Sequence, residues 1–247
     1  MFQMFRSDSL SLPRSPSASQ IPTTPIGRVD ADIDLALPPR PVAAWQWQLK
    51  RVVDIVGATA FFVFLGPLYA GVALVVYVGM GRPVHFGQAR RGEGGRPFRF
   101  YKFRSMPLDA DAILQRHLDD DERARRQWQR YQKLENDPRV TPLARVLRRL
   151  SLDELPQFWN VLKGDMSLVG PRPCMVRQRS LYGDYWPHYC AVRPGITGLW
   201  QVSGRNRLTF AERAALDARY VAGWSLGLDF RILARTLRAV ASGEGSH

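Results

Sequence analysis

The chain has 247 residues, 45% of them hydrophobic, enough for one domain with a tail or an anchor attached. Its 35 Lys and Arg against 22 Asp and Glu leave a formal charge of +13, which fits three kinds of partner: nucleic acid, an anionic membrane surface or phosphorylated substrates. Two cysteines, Cys174 and Cys190, make no disulfide framework, and no two of the four histidines stand at metal-ligand spacing, which argues against a structural zinc site.

Residues 1–45 are rich in Ser, Pro and Arg with no apolar period, and prolines such as Pro13, Pro16, Pro22 and Pro25 discourage regular structure. They read as a disordered tail, and the first apolar run starts too late to be a secretory signal. That run, Val52–Met80, follows Lys50-Arg51 and holds one charge, Asp54. It is long and uniform enough to enter a membrane rather than serve as a buried core helix. Gly66-Pro67 interrupts it, since proline lacks the N–H a helix interior needs. Basic residues flank both ends, Lys50 and Arg51 before it and Arg82, Arg90 and Arg91 after. The preference of Lys and Arg for the cytoplasmic side then asks both ends to lie on one face. Two readings follow: a re-entrant helix over 46–81 that enters, bends at Gly66-Pro67 and returns, or a tilted span with a proline kink. The first is the one adopted.

Beyond the anchor, PVHFGQ and PFRFYKFRSM flank Gly92-Glu93-Gly94-Gly95 and predict a small β-hairpin over 82–105. No strand–turn–helix surrounds those glycines, so they are no dinucleotide fingerprint. Residues 108–135 are charged and helical in composition, and Asp119–Glu122 reads as a solvated helix face. Thr209-Phe210-Ala211-Glu212 is a capping box opening a helix. A last helix, about Leu228–Ala241, sets Phe230, Leu233, Leu237 and Val240 at helical spacing with Arg231, Arg235 and Arg238 on other faces. It suits either a membrane interface or packing against the core.

The densest chemistry lies between Arg145 and Pro173. Ser151-Leu152-Asp153-Glu154 reads as a second capping box, which places both carboxylates in the first turn of a helix. By itself that is a helix start. With Arg148 and Arg149 one turn upstream, the same residues suit magnesium-assisted phosphate chemistry at an anion-binding helix end. One carboxylate could be a nucleophile and the other a metal ligand. No histidine is placed in sequence to activate Cys174, which reads as structural.

Several blocks in order resemble the bacterial sugar transferases, the monotopic polyprenyl-phosphate hexose-1-phosphate transferases: KRVVD at 50–54, FYKFRSM at 100–106, NDPRVTP at 136–142, SLDELPQFWNVLKGDMSLVGPRP at 151–173 and RPGITGLWQVSGR at 193–205. The resemblance covers about residues 50–247 and matches the short, catalytic-core form; Gly66-Pro67 stands where relatives often carry Ser-Pro, and Ala144 where glycine is common. It implies an α+β, mostly helical fold with amphipathic interface helices, and a cytoplasmic catalytic domain over 82–247 on the bacterial inner membrane. It implies transfer of hexose-1-phosphate, galactose or glucose, from a UDP-sugar to undecaprenyl phosphate with release of UMP, as the first membrane step of exopolysaccharide or capsule assembly. In that scheme Asp153 is the nucleophile and Glu154 holds Mg²⁺. Arg148, Lys102, Arg104 and the Pro171-Arg172-Pro173 turn bind substrate, and Lys50, Arg51, Asp54 and Pro67 belong to the anchor. The partners are then the two substrates and membrane lipid, with no nucleic acid. A non-enzymatic basic adaptor on anionic lipid or nucleic acid is the competing reading, and it leaves the carboxylate pair and the Pro-Arg-Pro turn unexplained.

Overall fold

The computed structural model describes residues 43–132, 134–204 and 208–242; the tail expected over 1–45 lies almost wholly outside them. The first element is one helix, α1 (Ala44–Met80), of 37 residues, and it ends where Gly81 turns left-handed at φ 71°. Gly66-Pro67 does not interrupt the hydrogen-bonded helix; Pro67 sits inside it. In an apolar setting the remaining backbone groups have no better partner than each other, so one missing N–H is absorbed. Among the described residues this is the one helix long and apolar enough to cross a membrane. Its middle is bare, with Val63, Phe64, Leu65 and Leu68 all exposed. Residues on both sides of Pro67 are buried: Lys50, Asp54, Ala58 and Phe61 before it, Val72 and Val76 after.

The predicted hairpin is present. Strands β1 (His85–Arg91) and β2 (Pro97–Phe103) pair antiparallel from His85↔Phe103 to Arg91↔Pro97, and the short β4 (Cys174–Met175) adds to β1, giving the order β2-β1-β4. Strands β3 (Ser167–Val169) and β5 (Gly195–Thr197) form a parallel pair. Gly195 is required there, because a Cβ would drive into the backbone nitrogen of Gly170.

The charged stretch forms α2 (Ala110–Asp120) and α3 (Glu122–Tyr131), with Asp121 capping α3 by accepting from the N–H groups of Arg123 and Ala124. This pair has its own small core of Leu114, Leu118, Ala124 and Leu134, against which Trp128 packs. Next come α4 (Pro142–Arg149), α5 (Gln157–Lys163) and α6 (Trp186–Cys190). Thr209 opens α7 (Phe210–Ala222) with the predicted capping box: its Oγ1 accepts from the Glu212 N–H while Glu212 accepts from the Thr209 N–H.

The last helix, α8 (Leu226–Ser242), begins two residues before the predicted start. It buries Leu228 and Ile232 against Leu216, Tyr220 and Trp224, and Leu233 packs at the edge of this core. Phe230, Leu237 and Val240 from the expected apolar stripe remain exposed. The main core thus lies between α7, α8 and the β3–β5 pair. A second cluster joins Ala58 of α1 to Phe100, Val161 and Met166, and a third joins Val72 and Val76 to Phe103 and Leu147.

Candidate active site

The capping box expected at Ser151 does not form. Ser151 is left-handed at φ 55° with no side-chain cap, and Leu152–Glu154 is a single 3-10 turn; α5 starts only at Gln157. The cause lies upstream. The Ser151 N–H closes α4 on the Arg148 carbonyl at 3.0 Å, so Ser151 is the left-handed exit residue of that helix. An N-cap needs extended backbone, and one residue cannot serve both ends. The carboxylates of Asp153 and Glu154 therefore depend on side-chain cations rather than on a long helix dipole.

Those cations come from β2 and from the Pro-Arg-Pro turn. Lys102 Nζ bridges the pair, 3.0 Å from Asp153 Oδ2 and 2.8 Å from Glu154 Oε1. Arg172 donates to the same Glu154 Oε1 at 2.8 Å. Asp153 is buried, at 4% exposure. Burial works against charge on Glu154, but Arg172 and then Lys102 outweigh it and hold its carboxyl well below the usual range. Glu154 in turn raises the pKa of Arg172. The Pro-Arg-Pro turn is tied on both flanks: the Gly195 N–H donates to the Pro171 carbonyl at 2.8 Å, and Arg90 donates to the Pro173 carbonyl at 2.9 Å.

Arg148 lies close enough for its charge to act on Asp153 and Glu154, and its Nε donates to Ser105 Oγ at 3.3 Å. Arg104 goes elsewhere. Its terminal nitrogens are taken up by the carbonyls of Met80, Gly81 and Arg82, so it closes the C-terminus of α1. The residues expected in the anchor, Lys50, Arg51 and Asp54, are also tied to the domain. Lys50 pairs with Asp229 at 2.6 Å and donates to the Val169 carbonyl at 3.0 Å. Arg51 donates to the Val161 and Leu162 carbonyls near the end of α5, and Asp54 accepts from Ser167 Oγ and the Leu168 N–H.

Several polar residues near the site carried no signal of their own in the sequence. Asn160 is fully buried and hydrogen-bonded to β2. Asp217 is buried and accepts from the Tyr182 hydroxyl at 3.0 Å; burial pushes its pKa far up despite that bond and the nearby Arg172 and Arg213. Burial also pushes the Cys174 thiol up to about 12, which fits the structural reading of that cysteine.

The arrangement offers an oxygen nucleophile beside a second carboxylate, with three cations that can neutralise charge on a phosphate. Among the described residues no three His, Cys, Asp or Glu gather as a metal cage.

A sequence model described as bacterial sugar transferase matches residues 45–243. The chain is 41% identical over 198 residues to the exopolysaccharide production protein ExoY of Rhizobium meliloti, covering 80% of this chain and 88% of that one. It is 43% identical over 204 residues to an undecaprenyl-phosphate galactose phosphotransferase of Salmonella typhimurium, covering 81% of this chain and 42% of the relative. It is 39% identical over 210 residues to an undecaprenyl-phosphate glucose phosphotransferase of Komagataeibacter xylinus, covering 81% and 37%.

Proposed function

Because this chain belongs to the bacterial sugar transferase family and is a sugar-phosphate transferase, we propose that it moves hexose-1-phosphate from a UDP-sugar to undecaprenyl phosphate in exopolysaccharide or capsule assembly. The observation that carries this reading is the Lys102 bridge across Asp153 and Glu154, with Arg172 also on Glu154. In the proposed reaction an Asp153 oxygen attacks the β-phosphorus, and the bond from that phosphorus to the bridging oxygen breaks. UMP leaves with the electron pair, and the sugar phosphate stays on Asp153 as an acyl phosphate. A phosphate oxygen of the polyprenyl acceptor then attacks the same phosphorus and frees the carboxylate. Lys102, Arg148 and Arg172 neutralise the charge on phosphate oxygens throughout.

The donor set fits Mg²⁺, which binds through one or two carboxylates together with substrate phosphates rather than in an all-protein cage. Asp153 and Glu154 supply such a pair, with Glu154 as the protein ligand proposed here. When bound, the ion would polarise phosphoryl oxygens.

The membrane placement we favour is re-entrant, in the bacterial inner membrane, with both ends of α1 and the catalytic domain on the cytoplasmic face. The packing supports a bend. Ala58 and Val76 would stand about 27 Å apart on a straight helix. The residues they cluster with, Phe100 and Phe103, are three positions apart on one strand, about 10 Å. Exposed Phe230, Leu237 and Val240 on α8, and Val146 and Leu150 at α4, give apolar faces suited to the interface.

Two experiments test the reading. Asp153→Asn, in membranes supplied with undecaprenyl phosphate and UDP-galactose or UDP-glucose, should release no UMP; full activity would remove Asp153 as nucleophile. A panel of UDP-sugars in the same assay identifies the hexose, with galactose favoured. For topology, Trp45→Cys in intact cells should resist an impermeant maleimide applied from the periplasm, and labelling above the parent chain overturns the re-entrant placement.

A further inference from the structure

Strand β2 is the outer strand of its sheet, so among the described residues one of its edges has no neighbouring strand. That edge is met by a side chain. Asn160, on α5 and 0% exposed, accepts from the Tyr101 N–H through Oδ1 at 3.1 Å. Its Nδ2 donates to the Arg99 carbonyl at 2.7 Å and to Asp165 Oδ2 at 3.2 Å. Accepting from residue 101 while donating to residue 99 is what the C=O and N–H of a single residue on a parallel strand would do opposite Phe100. The amide orientation is fixed by this pattern, since only an oxygen can face the N–H and only an NH₂ can face the carbonyl.

The position of this latch matters. Lys102 is the next residue along β2 and shares a face with Phe100, its Nζ 5.8 Å from that ring. The carboxylates it bridges precede α5 by a few residues. The segment carrying Asp153 and Glu154 and the strand carrying Lys102 are thus tied by a buried amide, beside the apolar cluster that Phe100 and Val161 share. We propose that Asn160 is a positioning residue that sets the register between Lys102 and the Asp153–Glu154 pair. It does not touch the phosphates; it acts through Lys102.

The proposal rests on the transferase reading of the carboxylate pair, so its test has one arm that needs no turnover. The full chain in membranes is compared with Asn160→Asp, Asn160→Ser, Lys102→Met and the double variants. Aspartate keeps the size but turns an oxygen toward the Arg99 carbonyl; serine is the milder change. With UDP-galactose and undecaprenyl phosphate, Asn160→Asp should lower kcat for UMP release tenfold or more while KM moves less than threefold. In the Lys102→Met background the same change should cost less than threefold; equal losses in both backgrounds overturn the proposal.

The second arm is competitive acetylation of lysines by acetic anhydride, read by peptide mass spectrometry. Relative to Lys50, whose buried ion pair reports an intact fold, Lys102 should react several-fold faster in the Asn160 variants. An unchanged Lys102 ratio in a variant that still protects Lys50 overturns the proposal. If Asn160→Asp loses that protection, the ratio measured in Asn160→Ser decides between the two outcomes. A parent chain that releases no UMP with any UDP-sugar of the panel sinks the UDP-sugar donor reading instead and leaves the acetylation result to decide the role of Asn160.

Discussion

Lys50→Met should be among the most destabilising single substitutions in the chain. The Lys50 ammonium, 6% exposed, meets Asp229, 5% exposed, at 2.6 Å and the Val169 carbonyl at 3.0 Å. Asp229 also accepts from the Tyr220 hydroxyl at 2.7 Å and from Trp224 Nε1 at 3.2 Å. Removing the lysine leaves a buried carboxylate with two neutral donors among the described residues, a loss of about 3–5 kcal/mol. For a domain of this size that is a drop in Tm of about 6–20 °C. Removing both charges costs less. In Lys50→Met/Asp229→Leu the Tyr220 hydroxyl keeps the Val169 carbonyl at 3.1 Å, and Trp224 Nε1 loses its acceptor, a loss of about 1–3 kcal/mol for the orphaned donor. The double variant should therefore unfold above Lys50→Met, not below it. The assay is thermal unfolding in one detergent at one scan rate, followed by near-ultraviolet circular dichroism. A Lys50→Met chain within about 2 °C of the parent, well under the drop expected for a domain of this size, or a double variant losing the sum of the single losses, would refute the reasoning.

Lys102→Met removes the bridge across both carboxylates, and the loss of two charge-assisted contacts predicts a fall of about 30- to 1000-fold in kcat/KM for UMP release; a change under threefold would contradict the site. Arg172→Gln should move the acid limb of the pH–rate profile upward. Glu154 is held below its ordinary pKa chiefly by Arg172, so its charged form supports the folded site above that ordinary value and is lost as pH falls through the folded one. An unshifted limb would contradict that assignment. Asp217 has the opposite sign: its pKa is raised in the fold, so stability declines as pH rises from about 4. Asp217→Asn should flatten that slope in urea unfolding between pH 4 and 7, and an unchanged slope would show that another group carries it. Thr209→Ala removes a cap, and Glu212 keeps its bond to the Thr209 N–H at 2.6 Å, so the expected loss is about 1 kcal/mol, read as a small shift in the same unfolding transition.

The features legible in the sequence are local ones. The hairpin around Gly92–Gly95 and the capping box at Thr209 follow from turn chemistry and spacing, and both are present. The Ser151 box failed because spacing cannot show that α4 already uses Ser151 as its left-handed exit. The buried face of α8 was hidden for a different reason. Its inner row runs through Leu228, Ile232 and Thr236, and Thr236 is held there by a hydroxyl contact with Thr197 at 2.7 Å. A polar residue in that row disguised it, and three of the more obvious apolar residues, Phe230, Leu237 and Val240, face outward. Arg104 shows the limit for the site itself. It sits two residues from Lys102 in one motif, yet one side chain reaches the carboxylates and the other closes α1. Only the fold separates those roles, because the partners lie far away in sequence.

Helix α1 is not a detachable tether. Trp47 stacks on Trp224 at 4.4 Å, Phe61 stacks on Phe158 at 3.9 Å, and Val76 is wholly enclosed. Cutting the chain after residue 81 would strip the lining from two clusters and strand Asp229 without its cation. A soluble fragment of the remainder would expose those surfaces, and grafting it onto an unrelated membrane helix would not restore them. Evolution and protein engineering alike are then constrained to carry this helix and the catalytic residues as one inheritance.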